Sequence, residues 1–281
     1  MLKKGIDSGQ LFSAHTGAEP AIELHNLSVR FDGFLALEDI SLNVDSGLRV
    51  AVVGPNGAGK STLFNVLAGI LPATAGQVFI HGHLPTQHLC LAYVPQSSHV
   101  DWNFPVNVEE VVMMGRIAQI GLFRQPRRAD WEQVRSNLDR VNLISLGKRQ
   151  ISELSGGQKQ RMFIARALAQ EADLILLDEP LAGLDIPSQD QIFAILDQLK
   201  NQGITVLFAT HDLELAAEHF DRILLLNRRL VAYGSKDQVL TAANLTQAFG
   251  GHLQMIETTE GKLTITDSGG HHGHEVEGRH G

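Results

Sequence analysis

Cysteine is almost absent from this 281-residue chain. Cys90 stands alone, which excludes an internal disulfide and suits a reducing compartment. Long apolar runs are missing too. None approaches the ~20 consecutive apolar residues of a bilayer-spanning helix. The segment Met1-Leu2-Lys3-Lys4-Gly5-Ile6-Asp7 lacks the apolar core of a signal peptide, so the protein is expected to stay inside the cell. Positive charge is scarce: 23 Lys and Arg against 31 Asp and Glu leave a formal net charge of −8 and a sequence pI near 5.9. Broad nucleic-acid binding needs a basic surface to displace phosphate counterions, so no nucleic-acid partner is expected. Apolar residues, at 43% against 19% charged, are numerous enough for one large or two modest domains with a full core.

One stretch constrains the reading far more than composition does. Gly54-Pro55-Asn56-Gly57-Ala58-Gly59-Lys60-Ser61-Thr62 matches the G-x-x-x-x-G-K-[ST] phosphate loop. It lies between an apolar strand, residues 48–53, and a helical run, residues 63–68. Glycines at 54, 57 and 59 are expected to take positive φ and let several N–H groups converge on one anion, aided by the helix start. Lys60 is expected to reach the β- and γ-phosphates and Ser61 to hold Mg²⁺, which makes ATP and Mg²⁺ the expected ligands.

Around that loop the chain divides into a flexible arm (1–20), a domain (21–255) and a low-complexity tail (256–281). Alternating segments at 22–29 and 40–44, with 77–80, predict a small antiparallel sheet. Phe31 lies between the first two, where it either stacks on a purine or simply packs. Leu91-Ala92-Tyr93-Val94 is a short strand that places Gln96 near the phosphates. Residues from about 100 to 170 read as a mostly helical insertion, and its basic cluster, Arg124, Arg127 and Arg128, as a solvated surface. Ser155, Gly156, Gly157 and Gln158 open a helix as a second anion-binding shape.

Leu174-Ile175-Leu176-Leu177 is a buried strand that ends in Asp178 and Glu179. Two carboxylates at such an exit suggest a metal ligand and a general base. His211 follows the strand at 205–209 and faces the ligand crevice, and a hairpin at 223–233 closes the domain. In the tail, His271, His272, His274 and His280 are imidazoles of a type that binds divalent metals. A Gly-flanked segment must lose conformational entropy to assemble them, so a solvated end competes with a weak metal site.

The ordered set Gly54 to Thr62, Gln96, Leu154 to Gln158, Asp178-Glu179, Asp185 and His211 resembles the nucleotide-binding subunit of ABC transporters over residues 21–255. The resemblance implies an α/β P-loop NTPase fold: a mainly parallel core sheet, a small antiparallel β subdomain and a helical signature subdomain. It implies that Phe31 stacks on adenine, Gln96 senses Mg²⁺ and the attacking water, Asp178 is the metal ligand and Glu179 the base. Asp185 is then the D-loop residue and His211 the γ-phosphate switch. Ser155, Gly156, Gly157, Gln158 and Asp185 would act in trans, in a head-to-tail homodimer around two ATP molecules.

The stretch from Val94 through Asp101-Trp102-Asn103-Phe104-Pro105 to Met113-Met114-Gly115-Arg116 is similar to the subfamily that imports manganese, zinc or chelated iron. There it touches a membrane permease, served in turn by an extracytoplasmic solute-binding protein. Aromatic residues on a loop also suit a protein interface. The reading is an ATP hydrolase at the cytoplasmic face of the membrane. The alternative, a soluble ABC ATPase of DNA repair or translation, would carry paired cassettes, coiled coils or zinc modules, which this sequence lacks.

Overall fold

The computed structural model describes residues 19–31, 33–85, 90–96, 100–121 and 124–250, and the backbone of 253–257 and 263–267. Most of the arm at 1–20, and the tail histidines His271, His272, His274 and His280, lie outside the described residues.

Three antiparallel strands open the domain: β1 (Ile22–Phe31) pairs with β2 (Phe34–Val44) on one side and β4 (Ala75–Ile80) on the other. The alternation legible at 22–29 holds on either side of an irregularity at His25-Asn26, where the pairing register shifts and Asn26 takes φ 49°. Ile22, Leu24 and Leu27 point into the core while His25 and Asn26 face solvent. The main sheet has the order β5 (Leu91–Val94), β6 (Leu174–Asp178), β7 (Thr205–Thr210), β3 (Arg49–Val53), β8 (Arg222–Asn227), β9 (Arg229–Gly234). All neighbours run parallel except β8 and β9, the expected closing hairpin.

The continuous apolar runs of these strands are explained by burial on both faces, as parallel sheets require. Along β6, Leu174 and Leu176 enter the core shared with the antiparallel sheet and helix α1 (Lys60–Leu67), while Ile175 and Leu177 enter the core of the helical insertion. Val206 and Phe208 of β7 face the insertion; Leu207 and Ala209 face the other way. Ala51 and Val53 of β3, with Ile223 and Leu225, build a third cluster with Leu213, Ala216 and Leu245. Those three come from helices α7 (Leu213–His219) and α9 (Ala242–Phe249), with α8 (Lys236–Val239) between them.

The insertion between β5 and β6 contains α2 (Val108–Met114), α3 (Ile117–Ile120), α4 (Arg128–Arg140) and α5 (Gly156–Ala169). A capping box at Asn107 and Glu110 starts α2. Helix α6 (Ile186–Asn201) joins β6 to β7. Past 250 the backbone forms a hairpin, β10 (Leu253–Glu257) with β11 (Leu263–Asp267), so strand pairing continues into the segment read from sequence as tail. Burial, reinforced by the Asp173 carboxylate, pushes the Cys90 thiol up to about 11, which keeps it protonated at neutral pH.

Candidate functional site

The strand order brings the carboxyl ends of β3, β5, β6 and β7 to one edge, and four separated stretches of sequence meet there. They carry the phosphate loop, Gln96, Asp178-Glu179 and His211.

The glycines of the loop serve different purposes, and one expectation needs correcting. Gly54 has no positive φ. It is glycine because a Cβ there would lie 2.1 Å from the Leu226 carbonyl oxygen at the end of β8. Gly59, by contrast, caps α1 at φ 99°, and a Cβ would also meet Leu37 Cδ2 at 2.6 Å. Gly57 is left-handed as well, at φ 77°. The β8–β9 turn secures this loop: Arg228 N–H donates to the Ala58 carbonyl at 2.8 Å, and the Arg228 carbonyl accepts from Glu38 N–H at 2.8 Å. The Arg228 guanidinium lies 4.6 Å from the centroid of Phe34, whose partner across the β1–β2 ladder is Phe31. Phe31 itself is 43% exposed, so one aromatic surface is open beside the loop's anchor.

Lys60, only 6% exposed, donates from Nζ to the Gly54 carbonyl at 2.8 Å and the Pro55 carbonyl at 3.3 Å, with Glu179 Oε1 3.8 Å away. Burial lowers its pKa, against the opposing pull of Glu179 and Asp178. Asp178 is 3% exposed, and burial pushes its carboxyl above the usual range although the hydroxyls of Ser61 and Tyr93 both bond to it. Tyr93 donates to Asp178 Oδ2 at 3.3 Å, and burial pushes its own pKa upward. An oxygen-only cluster of hydroxyl and buried carboxylate, with no sulfur or imidazole, suits a hard cation such as Mg²⁺.

Glu179 leaves β6 in the left-handed region at φ 47°, held by its N–H to the Ala209 carbonyl at 3.2 Å and its carbonyl to Ala182 N–H at 3.2 Å. This turn aims the side chain across the sheet edge, where Gln96 Nε2 donates to Oε2 at 3.4 Å. A cleft of about 210 Å³ separates Glu179 from His211, with Gln189 and Asp212 on its walls. His211 is placed by its neighbours: Asp212 N–H bonds Thr210 Oγ1 at 3.0 Å, and Asp212 caps α7 through Leu215 N–H at 2.9 Å.

Lys60, Ser61, Gln96, Asp178 and Glu179 are thus brought together. Ser155 to Gln158 are placed elsewhere, against α6. Ser155 caps α5 in a closed capping box, its N–H to Gln158 Oε1 at 3.0 Å and its Oγ accepting from Gln158 N–H at 3.3 Å. Gly157 faces Ser188 and Gly156 faces Leu184. Asp185 begins α6 on the exposed surface beside them. Trp102 and Phe104, paired in the sequence reading, part company: the indole packs inward, 5.6 Å from Phe163 and 4.4 Å from Lys159 Nζ, while Phe104 is 56% exposed. Tyr93, Ser188 and Arg228 were missed from sequence. The one available signal was a tyrosine in a strand two residues before Pro95.

The sequence profile described as ABC transporter matches residues 37–182. The chain is 44% identical over 237 residues to the manganese transport system ATP-binding protein MntB of Bacillus subtilis, covering 84% of this chain and 95% of that protein. It is 40% identical to the zinc transport system ATP-binding protein TroB of Treponema pallidum, covering 83% and 88%. Among solved structures, a chain of an inward-facing ABC transporter described as metal-chelate type aligns with TM-score 0.74 at 32% identity, over 88% of this chain and 98% of that one. An ATP-binding cassette of an ABC transporter in its ADP conformation aligns with TM-score 0.73 at 26% identity, over 83% and 100%. A phosphate loop, a buried aspartate and a glutamate on one sheet edge, in a chain with these relatives, place the protein in the ABC transporter family, as an ATPase subunit.

Proposed function

We propose that this chain hydrolyses ATP to energise import of a transition metal ion, manganese or zinc, through a separate membrane permease. The observation that carries the chemistry is Glu179, turned by its left-handed backbone toward Gln96 and Lys60 at the open edge of the sheet. The relatives that transport manganese and zinc support the cargo.

Phosphoryl transfer to water needs positioning and charge stabilisation above all. The backbone N–H groups of Gly57 to Ser61 cradle the triphosphate, and Lys60 exchanges its carbonyl partners for phosphate oxygens. Ser61 and Asp178 would hold Mg²⁺, with Gln96 as a further oxygen ligand. The ion would supply charge neutralisation for the phosphoryl group that these residues position. Glu179 accepts the proton of the attacking water, Gln96 orients that water, and His211 reaches the γ-phosphate across the cleft. Phe31 stacks on the base. Ser155, Gly156, Gln158 and Asp185, exposed or half-buried at the starts of α5 and α6, complete the site of a second copy in a head-to-tail dimer together with Gly157, which is buried against Ser188. Phe104 and the exposed residues around it, Asp101, Asn103 and Pro105, meet the permease at the cytoplasmic face of the membrane, with Trp102 turned inward beneath them, and a solute-binding protein delivers the ion outside. The tail histidines remain a candidate weak Zn²⁺ site, checked by calorimetry on a chain truncated after Ser268.

The test is ATP-driven uptake by vesicles containing this chain and its permease, with Mn²⁺ and Zn²⁺ supplied separately. Uptake of either that stops in Lys60→Ala is expected. ATP hydrolysis without uptake of either ion would overturn the cargo, and absence of hydrolysis would overturn the whole reading.

A further inference from the structure

The residue that the sequence grouped with the exposed docking loop is bound to the signature helix instead. Ser155, Lys159 and Phe163 recur every four residues, so they share one face of α5. The Trp102 ring lies on that face, 4.4 Å from Lys159 Nζ and 5.6 Å from the Phe163 ring centre at an interplanar angle of 64°. Lys159 N–H in turn donates to the Ser155 carbonyl at 2.9 Å, so the indole is one helical turn from the signature serine. A second connection runs beside it. Ile151 N–H donates to the Val106 carbonyl at 3.2 Å and Val108 N–H to the Arg149 carbonyl at 3.1 Å, with an antiparallel bridge between Asn107 and Gln150. The loop is therefore fastened both to the segment entering the signature and to the helix leaving it.

At its outer end the same loop is built to present Phe104. Asn103 N–H donates to Asp101 Oδ1 at 3.0 Å, and Val106 N–H donates to the Phe104 carbonyl at 2.8 Å. These local bonds turn the backbone so that Phe104 stands out while Trp102 points in.

We infer that Trp102 and Lys159 form a positioning pair that couples the permease-facing loop to Ser155, so that contact at Phe104 sets the placement of the signature helix start. The inference rests on the reading that 101–105 meets the permease. A cation over an indole face is held by the ring quadrupole and not by a directional hydrogen bond, so the contact tolerates small displacements while the ammonium stays over the face. Such a contact transmits a shift without a rigid hydrogen-bond geometry. Lys159 is also free of any role toward nucleotide in the chemistry described above, so it can be changed without touching the catalytic groups.

The experiment uses the chain assembled with its permease in vesicles, with the isolated chain as a control. Lys159→Met keeps an apolar stem of similar bulk and removes the cation; Lys159→Arg keeps the cation. Lys159→Met is expected to leave the isolated chain's KM for ATP and its assembly with the permease unchanged, while lowering permease-stimulated hydrolysis about 10-fold. Lys159→Arg and Trp102→Phe are expected to retain most of the stimulation, and Trp102→Leu to behave as Lys159→Met. Normal stimulation in Lys159→Met, or equal loss in Lys159→Arg, would overturn the pair as a coupling element. Phe104→Ala tests the underlying reading separately: loss of assembly supports it, and normal assembly and transport would remove the docking role itself.

Discussion

Gly157 faces Ser188 so closely that a Cβ on the glycine would lie 2.6 Å from the serine Oγ and 2.8 Å from its Cβ. The second glycine of the signature is thus required by packing of α5 on α6 within one chain, whatever it does toward a second copy. Gly157→Ala is expected to destabilise the monomer by about 1–3 kcal/mol, the usual cost of an added methyl in a filled contact. Ser188→Gly in the same chain should recover much of that. Chemical denaturation of the nucleotide-free chain measures both; equal stability of Gly157→Ala and the parent would show that the contact yields at no cost.

Glu179→Gln should stop hydrolysis by ~100-fold or more, since the amide cannot accept a proton, while ATP binding persists. With ATP and Mg²⁺ that variant should dimerise, and Ser155→Arg should prevent it by setting bulk and charge at the exposed start of α5. Light scattering decides the matter. A mass that stays monomeric in Glu179→Gln, or doubles in spite of Ser155→Arg, counts against the shared site.

Asp178 carries a pH signature. Burial raises its carboxyl pKa in the folded chain, so the folded state holds this proton more tightly than the unfolded state does. Its contribution therefore favours folding at acid pH and is lost as pH rises from the ordinary carboxylate range through the higher folded value. Asp178→Asn should raise the melting temperature of the nucleotide-free chain at pH 8, and the gain should vanish as pH falls below that window. It should also abolish Mg²⁺-dependent hydrolysis. A melting temperature that drops at pH 8 would mean that the bonds from Ser61 and Tyr93 outweigh the burial of charge.

The exposed aromatic beside the phosphate loop predicts a base-stacking role. Phe31→Ala should weaken ATP binding about 10-fold, within the range for loss of one base stack. Phe34→Ala should act less, because its ring already faces the Arg228 guanidinium. Titration with a fluorescent ATP analogue compares them, and an effect of Phe34→Ala exceeding that of Phe31→Ala would reverse the assignment.

Much of this protein was legible in sequence because its chemistry is local. The phosphate loop needs glycine, lysine and serine at fixed spacing since all act on one ligand within two turns of chain, and that spacing is a property of the sequence alone. The buried runs at 174–177 and 205–209 were recognisable as strands for the same reason, and the alternation at 22–29 announced the antiparallel sheet. What periodicity could not supply was which partner lies across the fold. Gly54 looked like a conformational glycine, and only the approach of the Leu226 carbonyl made it a packing one. Trp102 and Phe104 are two positions apart in a loop, where no period assigns a face, and their opposite directions follow from the turn at Asp101 and the ridge of α5. The hydroxyl of Tyr93 reaches Asp178 across 85 residues because β5 and β6 are neighbours in the sheet. Contacts of that kind are set by strand order, which depends on the free energy of the whole packed core and leaves no mark on either segment by itself.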